Sequence, residues 1–224
     1  MGTLYVIATP IGNLEDVTFR SIETLKKLDA LFCEDTRVTG RLLERYGIHV
    51  PMQSYREDSH GRQFPKMLEL LRAGKTVGLV SDAGTPAIAD PGFRMVRDVL
   101  RAEPETTVIP IAGVSAVTAA LSIAGLSADE FTFLGFPPHK KGRNTFFKEA
   151  LDHPRTVVLY ESTHRIEKAL ESVHAQAPER KLVVCRELTK MFETTYRGTA
   201  KEVQEQMANT SSKGEFVIVI EGKP

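Results

Sequence analysis

The stretch Val80-Ser81-Asp82-Ala83-Gly84-Thr85-Pro86-Ala87-Ile88-Ala89-Asp90-Pro91-Gly92 has the composition of a ligand loop. An apolar run, Thr76 to Val80, precedes it, and a helical pattern starts near Phe93. Glycines let the main chain come close to a ligand, and prolines fix the path of the loop. Asp82 adds a carboxylate where the strand opens, the place that ligands take in open α/β sheets. An ordinary turn with Asp82 as its cap fits the same residues. Two further loops of this kind, Thr9-Pro10-Ile11-Gly12-Asn13 and Ala112-Gly113-Val114-Ser115-Ala116, weigh against that plainer reading. Neither a Walker loop nor the G-x-G-x-x-G fingerprint is present, and these loops carry no lysine for a phosphate. Uncharged backbone with one aspartate suits a cationic or hydroxyl-rich ligand. S-adenosylmethionine, with its sulfonium, ammonium, ribose and adenine, is such a molecule. No HExxH or Cys/His spacing calls for a metal.

A second set of residues could move or hold a proton: Glu34, Asp35, Arg37, Glu161, Arg165, Glu187 and Lys190. Their alternation of acid with base could equally form buried ion pairs. His164, beside Arg165, could shuttle a proton or be a capped, hydrogen-bonded histidine. Two basic segments stand out. Pro137 to Asn144 reads as an exposed loop with Lys140, Lys141 and Arg143, and Arg37, Arg41 and Arg45 share one helix face. Both could meet RNA phosphates, and both could be solvated surface.

The elements that would position these groups follow from periodicity. Strands are expected at Thr3 to Ala8, Ala30 to Cys33, Thr76 to Val80 and Val108 to Ile111. Helices are expected over a segment with Phe19, Ile22, Leu25 and Leu28, over Arg37 to Tyr46 before Gly47, over Arg62 to Arg72 before Gly74, and from Phe93 to Leu100. This alternation argues a mostly parallel sheet covered by helices. Further on, helices over Val114 to Ala124, Asn144 to Leu151 and Ile166 to Val173 mix with strands Phe131 to Gly135, Thr156 to Tyr160, Leu182 to Arg186, Glu193 to Arg197 and Phe216 to Glu221. The second half therefore reads as a mixed sheet. A boundary near Ala112-Gly113 gives domains 1–112 and 113–224.

Bulk properties exclude several classes. The 224 residues carry a formal net charge of zero, so no overall basic field points to nucleic acid. Hydrophobic residues at 42% and charged ones at 26% are those of a globular chain. Two cysteines, Cys33 and Cys185, make no disulfide framework and suit a reducing cytosol. With no signal-peptide pattern or bilayer-length apolar run, a cytoplasmic protein with no membrane association is the expectation.

Tyr5 to Leu14, Glu34-Asp35-Thr36-Arg37, Ser81 to Gly92, Tyr160-Glu161-Ser162-Thr163-His164-Arg165, Arg186 to Lys190 and Lys213 to Phe216 together resemble the tetrapyrrole-methylase superfamily. More narrowly, they resemble the ribosomal RNA small-subunit methyltransferase I family, in order and over essentially the whole chain. The resemblance implies two α/β domains, a mostly parallel sheet then a mixed one, with S-adenosylmethionine in a cleft between them, and a homodimer. It implies methylation of a cytidine 2′-hydroxyl in the decoding region of 16S ribosomal RNA, with the small subunit as substrate. By motif position, Pro10, Asp82, Ala83, Gly84, Thr85, Ser115, Ala116, Tyr160, Leu188 and Glu215 would neighbour the cofactor. Asp35, Arg37, Glu161, Arg165, Glu187 and Lys190 would serve the reaction, and Arg41, Lys140, Lys141 and Arg143 the RNA. The chain departs from the family pattern at Ala112 and Val114 of the third loop, at Val38, at Ser59 and at Thr163, where the family has proline. A tetrapyrrole-precursor methyltransferase and a non-catalytic RNA-binding assembly factor are the alternatives.

Overall fold

A computed structural model describes residues 1–223, in two compact units that divide between Ser115 and Ala116. The first unit is built on five parallel strands: β1 (Thr3–Ile7), β2 (Ala30–Cys33), β3 (Met52–Ser54), β4 (Thr76–Val80) and β5 (Thr107–Ile111), in the order β3-β2-β4-β1-β5. Helices α1 (Phe19–Leu25), α2 (Thr36–Arg45), α3 (His60–Arg72) and α4 (Gly92–Ala102) cover it. Side chains alternate along β1: Leu4 and Val6 face the core formed with α3 and α4, while Tyr5 and Ile7 face the one formed with α1 and α2. This two-sided burial is why the strands read as continuous apolar runs. Gly78 lies where a Cβ would stand 2.4 Å from Leu28 Cδ1, so glycine lets the end of the α1 segment settle on the sheet.

Helix ends follow ordinary capping chemistry. Thr18 accepts the Ser21 N–H at the start of α1, and Asp35 accepts the Arg37 N–H at the start of α2. Gly47 and Gly74 follow α2 and α3 with φ of 62° and 77°, as helix-terminating glycines do. Helix α1 is shorter than its apolar spacing suggests. Phe19 sits in its first turn 90% exposed, and Leu28, beyond its end, is buried.

The second unit has strands β6 (Phe131–Phe133), β7 (Thr156–Ser162), β8 (Lys181–Arg186), β9 (Thr194–Thr199) and β10 (Glu215–Ile220), ordered β6-β7-β10-β8-β9. Only β6 and β7 pair in parallel, so the sheet is mixed. Helices α6 (Arg143–Asp152), α7 (Ile166–Gln176) and α8 (Ala200–Ala208) bury Phe147, Leu170 and Val203 with Leu159, Val184 and Ile218. Helix α5 (Ala116–Ala124) packs against β10. Helix α8 had no counterpart among the expected elements. Its signal is the capping box Thr199-x-x-Glu202, in which each side chain accepts the other's backbone N–H.

Candidate functional site

In the first unit, the three Gly/Pro loops leave the carboxyl ends of β1, β4 and β5, which are neighbours in the sheet. They are stitched together. Thr9 and Gly84 exchange both backbone hydrogen bonds at 2.9 Å, and Ala8 N–H donates to Ile111 O at 3.1 Å. Thr9 Oγ1 donates to Ser81 O at 3.2 Å, and Thr85 Oγ1 to Val114 O at 3.1 Å. Gly84 adopts φ 80°, and a Cβ on Gly113 would stand 2.9 Å from Ala8 Cβ. Glycine is thus required at both places, one for conformation and one for space. Thr85 is engaged with the neighbouring loop through its hydroxyl.

The rest of the second loop is held by Asp90, whose Oδ1 accepts from Ala87 N–H and Gly92 N–H. Ala87 and Ala89 are left-handed, with φ of 72° and 61°. Strained alanines flanking a fixed turn mark a segment whose path is imposed by its surroundings. At its far end, the Tyr55 hydroxyl donates to Pro91 O at 3.1 Å and lies 3.0 Å from His60 Nδ1. His60 is buried, and its Nε2 lies 3.2 Å from Asp98.

Carboxylates collect where β2 and β4 end side by side. Asp82 accepts the Asp35 N–H at 2.8 Å. Burial pushes the Asp82 carboxyl above its usual range, and the Asp35 charge adds to this. Glu34 is also pushed up, by burial first and then by Asp82. Asp35 goes the other way. Arg37 donates to it from Nε at 3.0 Å and from Nη2 at 2.6 Å, and holds it far below the carboxylate range. Arg56 Nη2 approaches the same carboxylate at 3.4 Å. Asp35 is therefore a fixed anion and a poor proton acceptor, whereas Glu34 and Asp82 retain basicity. Asp82 forms no ion pair with any described residue.

In the second unit, the predicted acid–base residues form two closed ionic groups. Glu161, side chain 0% exposed, binds Arg143 and Arg165, each at 3.0 Å. Lys190 Nζ donates to Glu187 and to Glu215, both at 2.9 Å. Burial alone would raise Glu187, but the Lys190 ammonium and the Glu215 N–H together bring it below its usual value. Lys190, lowered by burial, is carried above its ordinary value by the same two carboxylates. Glu187 and Thr189 are left-handed, with φ of 53° and 64°, which turns the chain sharply around buried Leu188. Gly214, at φ 131°, passes where a Cβ would stand 2.6 Å from Glu187 Cγ. Tyr160 packs edge-on to Phe133, ring centroids 4.8 Å apart.

Of the basic residues, Lys140 and Lys141 are exposed on the loop before α6 and form no ion pair with a described residue. Arg41 is exposed and unpaired on α2 in the same sense, while Arg37 is committed to Asp35. Arg143 is less exposed than its place in a basic loop suggests. It opens α6, its side chain is 12% exposed, and its guanidinium is drawn to Glu161 and over the Phe147 ring. His164 is exposed, Ser115 directly precedes α5, and Ala116 is its first residue. Thr163 is tied to the chain opposite: its hydroxyl donates to Gly214 O at 2.7 Å and accepts Gly214 N–H at 2.6 Å. No cluster of three or more potential metal ligands occurs among the described residues, and no helix there is long and apolar enough to cross a membrane.

Residues 3–204 match the family model described as Tetrapyrrole (Corrin/Porphyrin) Methylases. The Ribosomal RNA small subunit methyltransferase I of Neisseria meningitidis serogroup A is 45% identical over 98% of this chain and 76% of its own length. That of Halalkalibacterium halodurans is 42% identical over 99% of this chain and 76% of its own length. Among solved structures, cobalt precorrin-4 methyltransferase aligns with a TM-score of 0.70 at 21% identity, covering 98% of this chain and 94% of its own. Diphthine synthase aligns with a TM-score of 0.74 at 15% identity, covering 99% and 90%. At those identities the two structures speak for the fold alone.

Proposed function

Since the chain belongs to the tetrapyrrole (corrin/porphyrin) methylase family, and within it to the ribosomal RNA small subunit methyltransferase I family, we propose that it methylates 16S ribosomal RNA from S-adenosylmethionine. The acceptor is the 2′-hydroxyl of a cytidine in the decoding region, the substrate is the small ribosomal subunit, and the working form is a cytoplasmic homodimer. The observation that carries the chemistry is the Asp82 carboxylate, held by the Asp35 N–H at the carboxyl edge of the parallel sheet with no ion pair among the described residues. A carboxylate kept this way suits a ligand that brings a cation or hydroxyls of its own.

The residues present fit the methyl donor. Gly84 and Gly113 keep the loop backbones close and open, and Pro10, Ala83, Thr85, Ser115 and Ala116 border them. Asp82 supplies the one acidic side chain of these loops that can bind an ammonium or a ribose. Tyr160, Leu188 and Glu215 take the same role on the family pattern. When bound, the donor's sulfonium supplies an activated methyl group and its own leaving group. The chain must then hold the acceptor oxygen in line and assist loss of its proton. Asp35 and Arg37, locked in their bidentate pair, form a rigid anchor for the substrate. Glu34 is the better proton acceptor, because it is pushed up while Asp35 is held low. Arg41, Lys140 and Lys141 meet RNA phosphates.

The test is transfer of labelled methyl from S-adenosylmethionine to purified, undermodified small subunits, followed by digestion to locate the label. Label on a cytidine 2′-oxygen is the expected result. Cofactor binding without transfer to subunits would move the acceptor to a small molecule. No cofactor binding would leave an assembly factor.

A further inference from the structure

Pro137 and Pro138 open the basic loop, and neither has an N–H with which to anchor it. Their carbonyls do so instead. Arg165 Nη1 donates to Pro137 O at 3.0 Å, and Arg143 Nη1 donates to Pro138 O at 3.3 Å. Both guanidiniums converge on one carboxylate: Arg143 Nη2 donates to Glu161 Oε2, and Arg165 Nε, which donates to Ser162 Oγ at 3.1 Å, forms an ion pair with Oε1, both approaches being 3.0 Å. The Ser162 N–H donates to the same Oε1 at 2.8 Å. Glu161 lies in β7, Arg143 begins α6, and Arg165 directly precedes α7, so one side chain ties three elements.

A buried carboxylate persists only with partners of this quality. Here those partners direct further donors to two successive prolyl carbonyls, where the loop has no donor of its own. Further along the loop, Lys140 and Lys141 are exposed and form no ion pair with a described residue.

We propose that Glu161, Arg143 and Arg165 form a clamp that fixes the loop from Pro137 to Gly142 and presents Lys140 and Lys141 to the RNA backbone as a preset pair. The inference rests on the reading that these lysines contact ribosomal RNA. Glu161 and Arg165 are then positioning residues that act through the loop rather than at the reacting atoms. A loop already ordered loses less entropy on binding, so cutting the clamp weakens substrate capture more than turnover.

Three variants of the full chain, Glu161→Gln, Lys140→Ala with Lys141→Ala, and their combination, separate the possibilities. With undermodified small subunits, Glu161→Gln should raise KM at least fivefold while kcat moves less than twofold. The lysine pair should raise KM and flatten the salt dependence of log kcat/KM by about 1.4, from roughly 0.7 per phosphate contact. The combined variant should do little more than the lysine pair alone. Independently of RNA, endoproteinase Lys-C should cut Glu161→Gln at Lys140–Lys141 at least tenfold faster than the parent, with other sites unaffected. Multiplying effects, or unchanged loop cleavage, would overturn the clamp. A lysine pair with parental KM and salt slope would overturn the RNA reading beneath it, while the cleavage assay still reports whether Glu161 holds the loop. If Glu161→Gln does not fold, Arg143→Met removes one arm, keeps apolar packing on Phe147, and carries the same expectations.

Discussion

Replacing Asp82 with asparagine separates its charge from its shape. The asparagine oxygen can still accept the Asp35 N–H that Asp82 accepts at 2.8 Å, so the ends of β2 and β4 stay joined. What disappears is the negative charge. A hydrogen bond to a charged group contributes about 1.5–3 kcal/mol, so the Kd for S-adenosylmethionine should rise about ten- to hundredfold. Stability without cofactor should move the other way. Burial and the Asp35 charge already hold the Asp82 carboxyl above 3.8, which means the folded state disfavours its ionised form. The parent therefore loses a little stability as pH rises through that raised value, and Asp82→Asn does not. At neutral pH the variant's Tm should equal the parent's or exceed it by roughly 1–3 °C. Cofactor affinity of the parent should fall as acid protonates Asp82, starting above the ordinary aspartate range, and the variant should lack that limb. Calorimetric titration across pH and thermal melts of the free protein read these quantities. A variant that binds cofactor as tightly as the parent, or melts several degrees lower, would refute the argument.

Three other changes probe neighbouring features. Gly113→Ala places a Cβ 2.9 Å from Ala8 Cβ, so overpacking of about 1–3 kcal/mol should lower Tm by roughly 3–10 °C in a thermal melt. Thr163→Val removes both hydrogen bonds to Gly214 and should cost about 1–3 kcal/mol in urea unfolding, most of it recovered in Thr163→Ser. Burial pushes the Cys33 and Cys185 thiols up to about 11, so native protein at pH 8 should resist iodoacetamide and take two adducts only after unfolding, as read by intact mass.

Strands such as Ala30–Cys33 and Thr76–Val80 were legible because both their faces are buried, which leaves an unbroken apolar run with turn residues at each end. Strand β3, Met52–Ser54, was not, because Gln53 and Ser54 leave it no apolar run, unlike the aromatic β6. Helix α8 was missed because attention to apolar spacing passed over Thr199 and Glu202, whose spacing is a start signal in itself. The three loops could be recognised from glycine and proline. Their convergence could not, since it depends on β4 entering the sheet between β2 and β1 and on β5 pairing with the other edge of β1, an order that no local pattern encodes. The hydrogen bond between Asp35 and Asp82 follows from that same order. The burial of Arg143 was hidden for a related reason: a basic run in a loop signals solvent, and only the fold reveals the buried carboxylate with which it pairs.

The two groups of acids then differ in a way that composition hides. The formal charge of zero says nothing of where the charges are left uncompensated. Glu161 is enclosed by two arginines, and Glu187 and Glu215 share Lys190. Glu161 is thus over-compensated by two cations, while Glu187 and Glu215 have one ammonium between them. Asp82 and Glu34 are left without ion pairs among the described residues, at the expense of raised carboxyl groups. Leaving an acid unpaired weakens the free protein unless a ligand completes it. On the proposed function, the open carboxylates at the edge of the parallel sheet would receive a cationic donor, and the Lys140–Lys141 pair a polyanionic acceptor.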